Sequence, residues 1–316
     1  MKHIFVVNPA AGTADPTGTI RDTLAAYDGK LDYEIYVTSG EKDATAFVKR
    51  RVAEGGELRF YACGGDGTIN EVASGLVGAE NASLAVYPVG SGNDFIKYYG
   101  TREDFLDLDG LIEGEEDAID VIRVGDRYSV NVCNFGFDTT VARTMIAVKH
   151  KRIIGGKRAY VTGVVAAVLK AMKNKCEVYA DGEKLNDEKL LLCTVANGKY
   201  VGGAFCCAPR SVNSDGLLEV CLVKPISRFK FIQILPVYTD GKHLEDERFR
   251  DCIVYRRAKK VEVVAPEGFC LSLDGEIVEN PRFTAEVLEK AIRFVVPRKL
   301  VKPRAPEAEA ASVSIT

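Results

Sequence analysis

Hydrophobic and polar positions alternate in two ways along the first 124 residues. Short apolar runs predict buried β-strands, and segments with an apolar residue at every third or fourth position predict amphipathic helices. The predicted strands are 4–7, 33–38, 58–62 and 84–87, and the predicted helices are 19–27, 43–54 and 70–76. Repeated strand–helix units predict an α/β fold with a doubly wound, mostly parallel sheet. Ligands of such sheets bind beyond the carboxyl ends of the strands.

The pattern changes after Asp120, where short β-like runs dominate. These runs are 128–133, 176–180, 190–196, 217–223, 260–265 and 269–273. A single strong helix, about 158–173, interrupts them with a mostly valine stripe. We therefore predict a first domain over residues 1–124 and a β-rich sandwich domain over residues 125–297. Residues 298–316 are rich in Pro, Ala and Glu and predict a disordered tail.

Composition narrows the class of protein. The 316 residues are 47% hydrophobic and 28% charged, which is enough apolar content for two cores. The formal net charge of -3 indicates no nucleic-acid partner. Nine dispersed cysteines without a CxxC pair indicate a reducing, cytoplasmic environment. Three histidines are too few to favour a histidine metal cluster or a catalytic triad.

Targeting and membrane signals are weak. The chain enters its first predicted strand directly after His3, which predicts no signal peptide. The longest apolar run, 161–169, is much shorter than the roughly 20 residues that a membrane-spanning helix requires. We expect a soluble or peripheral protein of the cytoplasm.

A glycine-rich loop, residues 64–70 with the sequence GGDGTIN, follows the predicted strand 58–62 and leads into the predicted helix 70–76. Glycines let backbone N–H groups approach an anion closely, and the helix N-terminus adds a favourable dipole. Asp66 would repel a phosphate unless a cation or a hydrogen-bond network intervenes. The loop therefore predicts a phosphate site at which Asp66 handles Mg²⁺ or a proton.

Two further glycine-containing loops follow predicted strands at the same edge of the sheet. They are residues 8–13, with the sequence NPAAGT, and residues 88–95, with the sequence PVGSGNDF. Each loop alone is typical of an ordinary turn. Together with residues 64–70 they gather backbone amides and the side chains of Thr68, Asn70 and Ser91, which predicts a nucleotide triphosphate site.

The three loops carry, in this order, the motifs NPxxG, GGDGTxNE and PxGSGNDF. With these motifs the chain resembles the diacylglycerol kinase catalytic-domain family, and within it the bacterial soluble lipid kinases. The resemblance continues through short motifs of the second half: Asn197-Gly198, Gly202-Gly203, Ala208-Pro209, DGLL at 215–218 and DGE at 274–276. The glycine loop by itself is also similar to that of NAD kinases and phosphofructokinases.

The resemblance implies an ATP- and Mg²⁺-dependent enzyme that phosphorylates a lipid hydroxyl, with nucleotide on residues 1–124 and lipid on residues 125–297. Diacylglycerol is the expected acceptor and phosphatidic acid the product, and sphingoid bases or other lipid alcohols stay open as acceptors. An NAD kinase is the enzymatic alternative. A relative that binds nucleotide or lipid without catalysis is the non-enzymatic alternative, and a homodimer stays open as an assembly.

The resemblance also implies roles for individual residues. The expected nucleotide contacts are Asn8, Thr38, Gly64, Gly65, Asp66, Gly67, Thr68, Ile69, Asn70 and Ser91. Glu276 matches the proton acceptor for the lipid hydroxyl, with Asp66 as its rival, and Asp94 matches a member of the acidic network between the domains. A structural Mg²⁺ is implied at the Asp215 carboxylate and the backbone carbonyls of Val212 and Leu217.

Some positions depart from the family pattern. Thr13 and Lys97 stand where many bacterial relatives have a lysine and an arginine. Ser91 replaces a common threonine, and Glu219 replaces a common aspartate. Lys97 retains the positive charge of arginine without its bidentate geometry.

A basic cluster precedes the predicted helix 158–173. Its members are Lys149, Lys151, Arg152, Lys157 and Arg158. Anionic lipid would attract this cluster, which predicts transient peripheral contact with a membrane surface. In the alternative interpretation the valine stripe packs on the sandwich and the basic side chains are simply solvated.

Overall fold

The computed structural model describes residues 1–12, 14–90, 92–137, 139–140 and 172–301. The first strands are β1 (Lys2–Val7), β2 (Tyr33–Val37), β3 (Leu58–Gly64) and β4 (Ala82–Pro88). The helices of this part are α1 (Thr17–Ala25), α2 (Asp43–Ala53), α3 (Asp66–Leu76), α4 (Arg102–Phe105) and α5 (Leu108–Ile112), with a 3-10 turn at Phe95–Tyr98.

These four strands form a parallel sheet in the order β2-β1-β3-β4. β3 and β4 are buried at every residue, as is typical of the central strands of a parallel sheet. α2 buries Ala44, Phe47 and Val48, which recur at helical spacing. Because the strands run in one direction, the carboxyl ends of β1, β3 and β4 meet at the edge where α3 begins.

The second part of the chain is rich in strands. They are β5 (Glu115–Val124), β6 (Arg127–Ser129), β7 (Val132–Gly136), β8 (Asn174–Lys175), β9 (Glu177–Ala180), β10 (Glu183–Lys184), β11 (Lys189–Leu190), β12 (Leu192–Ala196), β13 (Tyr200–Val201), β14 (Phe205–Cys206), β15 (Leu218–Val223), β16 (Ile253–Ala258), β17 (Lys260–Val264), β18 (Cys270–Leu273), β19 (Glu276–Glu279) and β20 (Arg282–Val296). This part also contains helix α6 (Arg228–Thr239) and 3-10 turns at Glu247–Cys252 and Arg298–Leu300.

Two sheets face each other across a second hydrophobic core. One is a six-stranded antiparallel sheet in the order β16-β15-β12-β7-β18-β19. Its Phe135 and Val195 are buried in the same cluster as Val261 and Phe283, which belong to β17 and β20. This arrangement is a β-sandwich.

The 15-residue strand β20 joins the two parts of the molecule. Its first half pairs with β17, and much of its length pairs with β5, both antiparallel. Near its end, Arg293 and Phe294 pair in parallel with β4. One ten-stranded sheet therefore runs from the parallel strands into the sandwich.

The predicted fold class is confirmed: a mostly parallel α/β part precedes a β-rich part. α3 begins at Asp66, four residues before the predicted start of its helix. The predicted strand 128–133 is wrong as one element, because the backbone between β6 and β7 turns its N–H groups towards Asp274. The domain limits 1–124 and 125–297 stay predictions.

The sequence pattern missed α6 and β20. α6 begins after Ser227, whose side chain accepts a hydrogen bond from the Lys230 N–H. Its Phe229 and Ile232 are exposed, so no single apolar stripe marks the helix. The expectation of one strong helix in this part is therefore wrong, and the predicted helix 158–173 lies almost wholly outside the described residues. The predicted tail begins with the 3-10 turn Arg298–Leu300, and its remainder from residue 302 is also outside them.

Within the parts of the chain that the structure describes, no helix is both long and apolar enough to cross a bilayer.

Candidate active site

A cavity of about 630 Å³ lies at the carboxyl ends of the parallel strands. Its walls come from the loop after β1, the loop after β2, the start of α3, the loop after β4 and the start of β19. The lining residues are Asn8, Pro9, Ala10, Ala11, Gly12, Thr38, Ser39, Gly40, Glu41, Ala44, Gly65, Asp66, Gly67, Thr68, Glu71, Gly90, Gly92 and Glu276. The cavity therefore brings the predicted loops of the first domain together with the DGE motif of the second.

The glycine loop at the floor of this cavity packs closely against the Thr68 side chain and against the backbone of the loop after β4. A Cβ atom on Gly64 would stand 2.1 Å from the Thr68 Oγ1 atom, and one on Gly90 would stand 2.4 Å from the Gly65 Cα atom. Neither position has room for a side chain. The first N–H groups of α3 have no partner within the helix, so this end of α3 offers hydrogen-bond donors and a partial positive charge to an anion.

Asn8 fixes the first loop to α3. Its Nδ2 donates a hydrogen bond to Thr68 Oγ1 at 3.1 Å, and its Oδ1 accepts one from the Ala10 N–H at 2.9 Å. The Asn8 N–H donates to the Cys63 carbonyl at the end of β3. The side chain thus holds two loops in register.

Glu71 fixes the loop that contains Thr38. Its carboxylate accepts hydrogen bonds from the N–H groups of Lys42 at 2.9 Å and Ala44 at 3.2 Å, where α2 begins. The Thr38 N–H donates to the Val7 carbonyl at 2.9 Å. Glu71 was missed as a site residue, although it is the last residue of the GGDGTxNE motif.

Asp66 and Asp94 form a pair at the edge of the cavity. The Asp94 N–H donates to Asp66 Oδ1 at 2.7 Å. Burial, and then the neighbouring Asp94 charge, raise the pKa of Asp66 to about 6, against the effect of this hydrogen bond. Asp66 is therefore poised to change its protonation state near neutral pH.

Asp94 and Lys97 connect the two parts of the molecule. The Asp94 carboxylate accepts hydrogen bonds from Lys97 Nζ at 2.5 Å and from the Gly203 N–H at 3.0 and 3.1 Å. Lys97 Nζ also donates to the Gly203 carbonyl at 2.6 Å. Gly203 lies between β13 and β14, so these contacts fasten that hairpin to the loop after β4.

Glu276 reaches the cavity from the sandwich. It follows Gly275, whose φ of +97° requires a glycine, and it begins β19. Its side chain is 49% exposed, and Arg127 Nη1 lies 4.0 Å from its Oε2. Desolvation, and then the charge of Glu71, raise the pKa of Glu276, while Arg127 lowers it. A carboxylate of this kind is accessible and is a stronger base than an ordinary glutamate.

Asp274, two residues earlier, holds this arrangement together. Its carboxylate accepts five hydrogen bonds, from Asn70 Nδ2, Ser129 Oγ and the N–H groups of Val130, Asn131 and Val132. Burial raises its pKa, and these donors oppose that rise. Because Asn70 belongs to α3, this carboxylate joins the glycine-loop helix to the Glu276 hairpin. The sequence suggested only a hairpin turn at Asp274-Gly275.

The structure does not bring every predicted residue to the cavity. Ile69 is buried in the hydrophobic core, and its N–H donates to the Gly65 carbonyl. Asn70 faces Asp274 and the Tyr128 carbonyl. Gly64 ends β3 beneath the cavity floor. Ser91 and Thr13 lie outside the described residues.

Two of the three predicted metal residues, Val212 and Asp215, line a different cavity, of about 420 Å³. Asp215 Oδ2 is paired with Arg257 Nη2, and Asp215 Oδ1 accepts a hydrogen bond from the Leu217 N–H at 3.1 Å. Among the described residues, no group of three or more His, Cys, Asp or Glu side chains is placed to hold a metal ion. With both oxygens of Asp215 bound by donors, Val212, Asp215 and Leu217 in this arrangement do not fit Mg²⁺.

Comparisons with known proteins cover both parts of the chain. Residues 2–124 match the family model described as the diacylglycerol kinase catalytic domain, and residues 131–296 match the one described as the YegS C-terminal NAD kinase beta sandwich-like domain. A Bacillus subtilis (strain 168) protein named "Diacylglycerol kinase" is 31% identical over 281 residues, which are 86% of this chain and 88% of that protein.

Other similar proteins agree with this match. A Yersinia enterocolitica protein named "Probable lipid kinase YegS-like" is 28% identical across 94% of this chain and 98% of its own. The crystal structure of a diacylglycerol kinase from Bacillus anthracis str. Sterne has the same fold, with a TM-score of 0.70 over 95% of this chain and 98% of that one at 21% identity. Since both of its parts are matched, the chain belongs to the family of lipid kinases that combine a diacylglycerol kinase catalytic domain with a YegS-type sandwich domain.

Proposed function

We propose that this kinase transfers the γ-phosphoryl group of ATP, bound as its Mg²⁺ complex, to the free hydroxyl of diacylglycerol and so forms phosphatidic acid. The observation that carries the proposal is a single cavity lined by both the N-terminus of α3 and the carboxylate of Glu276. The relative named diacylglycerol kinase, at 31% identity, supports the acceptor.

The first domain supplies the nucleotide contacts in this proposal. The N–H groups at the start of α3 and in the loop after β4 donate to the phosphate oxygens. Asn8 and Thr38 line the same cavity, and Asn8 and Glu71 hold its loops in place before the nucleotide arrives. Transfer of a phosphoryl group depends mainly on such positioning and on neutralisation of charge.

Glu276 is the proton acceptor in this proposal. Its carboxylate takes the proton of the lipid hydroxyl as the lipid oxygen forms its bond to the γ-phosphorus, and the bond from that phosphorus to the bridging oxygen breaks to release ADP. Glu276 suits this role because its side chain is half exposed at the cavity, where a bulky lipid can reach it. Asp66 is held by the Asp94 N–H and is better placed to order the phosphate loop.

The test supplies labelled ATP and Mg²⁺ to the purified chain with detergent micelles of diacylglycerol, sphingosine or another lipid alcohol, and separately with NAD⁺. The proposal predicts labelled phosphatidic acid as the main product. If sphingosine or NAD⁺ is labelled in preference, that molecule and not diacylglycerol is the acceptor. If the chain binds ATP but labels none of these acceptors, it binds nucleotide without catalysing the transfer.

We also propose that the enzyme is cytoplasmic and contacts the membrane surface transiently, since its acceptor is a membrane lipid. The basic cluster at residues 149–158 is the first candidate for this contact and lies outside the described residues. Binding to vesicles that increases with anionic lipid and decreases with salt would support the contact. Binding that is insensitive to both would contradict it.

A further inference from the structure

A buried glutamate and an arginine face each other across two strands of the sandwich. β15 and β16 pair antiparallel in a register that sets Glu219 opposite Arg257. Arg257 Nε donates to Glu219 Oε1 at 3.0 Å, and the Glu219 side chain is 2% exposed. The charge of Glu219, after burial, raises the pKa of the adjacent Tyr255 hydroxyl. Arg257 therefore neutralises a carboxylate that has little access to water.

The same guanidinium also binds Asp215. Nη2 of Arg257 pairs with Asp215 Oδ2, while Nε stays on Glu219. One planar cation thus bridges two carboxylates, as the fork geometry of arginine allows. Arg210 and Arg256 line the same cavity and add positive charge to it. A divalent cation at this site would find the charge of the two carboxylates already balanced by arginine.

The bridge fixes a loop that connects the two parts of the molecule. The Gly216 N–H donates to Asp120 Oδ2 at 2.7 Å, and the Asp120 N–H donates to the Asn213 carbonyl at 2.8 Å. The Asn213 side chain donates to the Tyr99 hydroxyl, which belongs to the first part. The position of Asp215 in this loop, residues 212–217, is therefore tied to that of β5 and of the loop after β4.

We propose that the Arg257 guanidinium takes the place of the divalent cation expected between Val212, Asp215 and Leu217, so that this kinase holds residues 212–217 without a metal ion. Glu219 stands where an aspartate is common. Its carboxylate is the second group that binds Arg257, so this longer side chain is part of the same replacement of a cation by arginine. The inference concerns the stability of the sandwich and is independent of which lipid is phosphorylated.

Thermal unfolding of the nucleotide-free chain tests the proposal, with MgCl2 compared with EDTA. We expect the wild-type Tm to be the same in both. Arg257→Met should lower the Tm by several degrees in EDTA, because two acidic groups lose their shared cation. Mg²⁺ should restore part of that loss in Arg257→Met. A wild-type Tm that falls on chelation, or an Arg257→Met variant with the wild-type Tm in EDTA, would overturn the proposal.

Two further variants make the result specific. Arg256→Met removes the neighbouring arginine, whose ion pair is with the exposed Glu183 at 3.5 Å, and should change the Tm little. Adding Asp215→Asn to Arg257→Met should abolish the restoration by Mg²⁺.

Mn²⁺ binding followed by electron paramagnetic resonance gives a direct measurement. The wild-type chain should bind no Mn²⁺ at this site, and Arg257→Met should gain one bound ion that Asp215→Asn removes. If the wild type binds Mn²⁺ tightly and Asp215→Asn eliminates that binding, Arg257 does not take the place of the cation.

Discussion

Glu276 and Asp66 line the same cavity but have different surroundings. Glu276 is half exposed beside Arg127, whereas Asp66 accepts a hydrogen bond from the backbone of Asp94. General base catalysis contributes roughly 10²–10⁴ to a rate. We expect Glu276→Gln to lower kcat by roughly 100-fold or more and Asp66→Asn to act mainly on KM for ATP. Steady-state kinetics in lipid micelles decides between them.

The opposite result would exchange these roles. If Asp66→Asn eliminates turnover while Glu276→Gln leaves it nearly intact, Asp66 is the base. A fold check on both variants by circular dichroism excludes simple loss of structure.

The pKa of Asp66 also predicts how stability depends on pH. A carboxylate whose folded pKa is raised from 3.8 to about 6 binds its proton more tightly in the folded state. Its contribution becomes unfavourable as pH rises from about 4 to about 6 and is constant above that, on the order of 2–3 kcal/mol. Asp66→Asn should therefore stabilise the chain more at pH 8 than at pH 4, measured by urea unfolding. Asp22→Asn, an exposed change on α1, is the control, and an equal effect of Asp66→Asn at both pH values would contradict the raised pKa.

At the level of elements, the junction between β3, α3 and the loop after β4 depends on close backbone contact. A Cβ atom at Gly90 would stand 2.4 Å from Gly65 Cα, and backbone atoms cannot yield as a flexible side chain can. We expect Gly90→Ala to cost about 2 kcal/mol of unfolding free energy and to weaken ATP binding, measured by chemical denaturation and calorimetry.

Gly18→Ala is the matched control for this change. Gly18 lies in α1, and a Cβ atom there would meet nothing within 4 Å. Alanine at such a position should be neutral or stabilise the chain by roughly 0.5–1 kcal/mol. If both variants behave alike, close packing of the phosphate loops is not what requires glycine at position 90.

The central strands β1, β3 and β4 could be predicted because they are buried along almost their whole length, and α2 could be predicted from its apolar stripe. The short helices α4 and α5 and the strand β5 were not predicted. α6 could not be predicted, since its apolar side chains point both inwards and outwards. β20 could not either, because its two halves pair with different strands of one sheet, β17 and β4, and no local pattern records that. The glycine loops of the site were predictable from turn chemistry, but Asp274 was not. Its five donors come from segments distant in sequence, so only the folded chain shows them.

At the scale of the whole molecule, Lys97 joins the β13–β14 hairpin of the sandwich to the loop after β4. Lys97→Met would leave Asp94, whose side chain is 11% exposed, with a negative charge and only backbone donors. A hydrogen bond to a charged group is worth about 1.5–3 kcal/mol, so we expect kcat/KM to fall about tenfold or more. Backbone hydrogen exchange at residues 200–206 should accelerate.

Lys97→Arg keeps the positive charge and should retain most of the activity and of the exchange protection. Unchanged exchange at residues 200–206 in Lys97→Met would show that the hairpin is held by other contacts.

The long strand β20 has a consequence for how the enzyme is made. Among the described residues, β4, which leads into the loop at Gly90, has its outer neighbours in Arg293 and Phe294 of β20. During translation the outer edge of β4 therefore lacks this partner until nearly all of the described chain has left the ribosome. A chain that ends before residue 293 carries the complete glycine motif on a parallel sheet whose β4 edge lacks this neighbour. Synthesis of the last strand, and not of the motif, is the step that completes the sheet beneath the cavity.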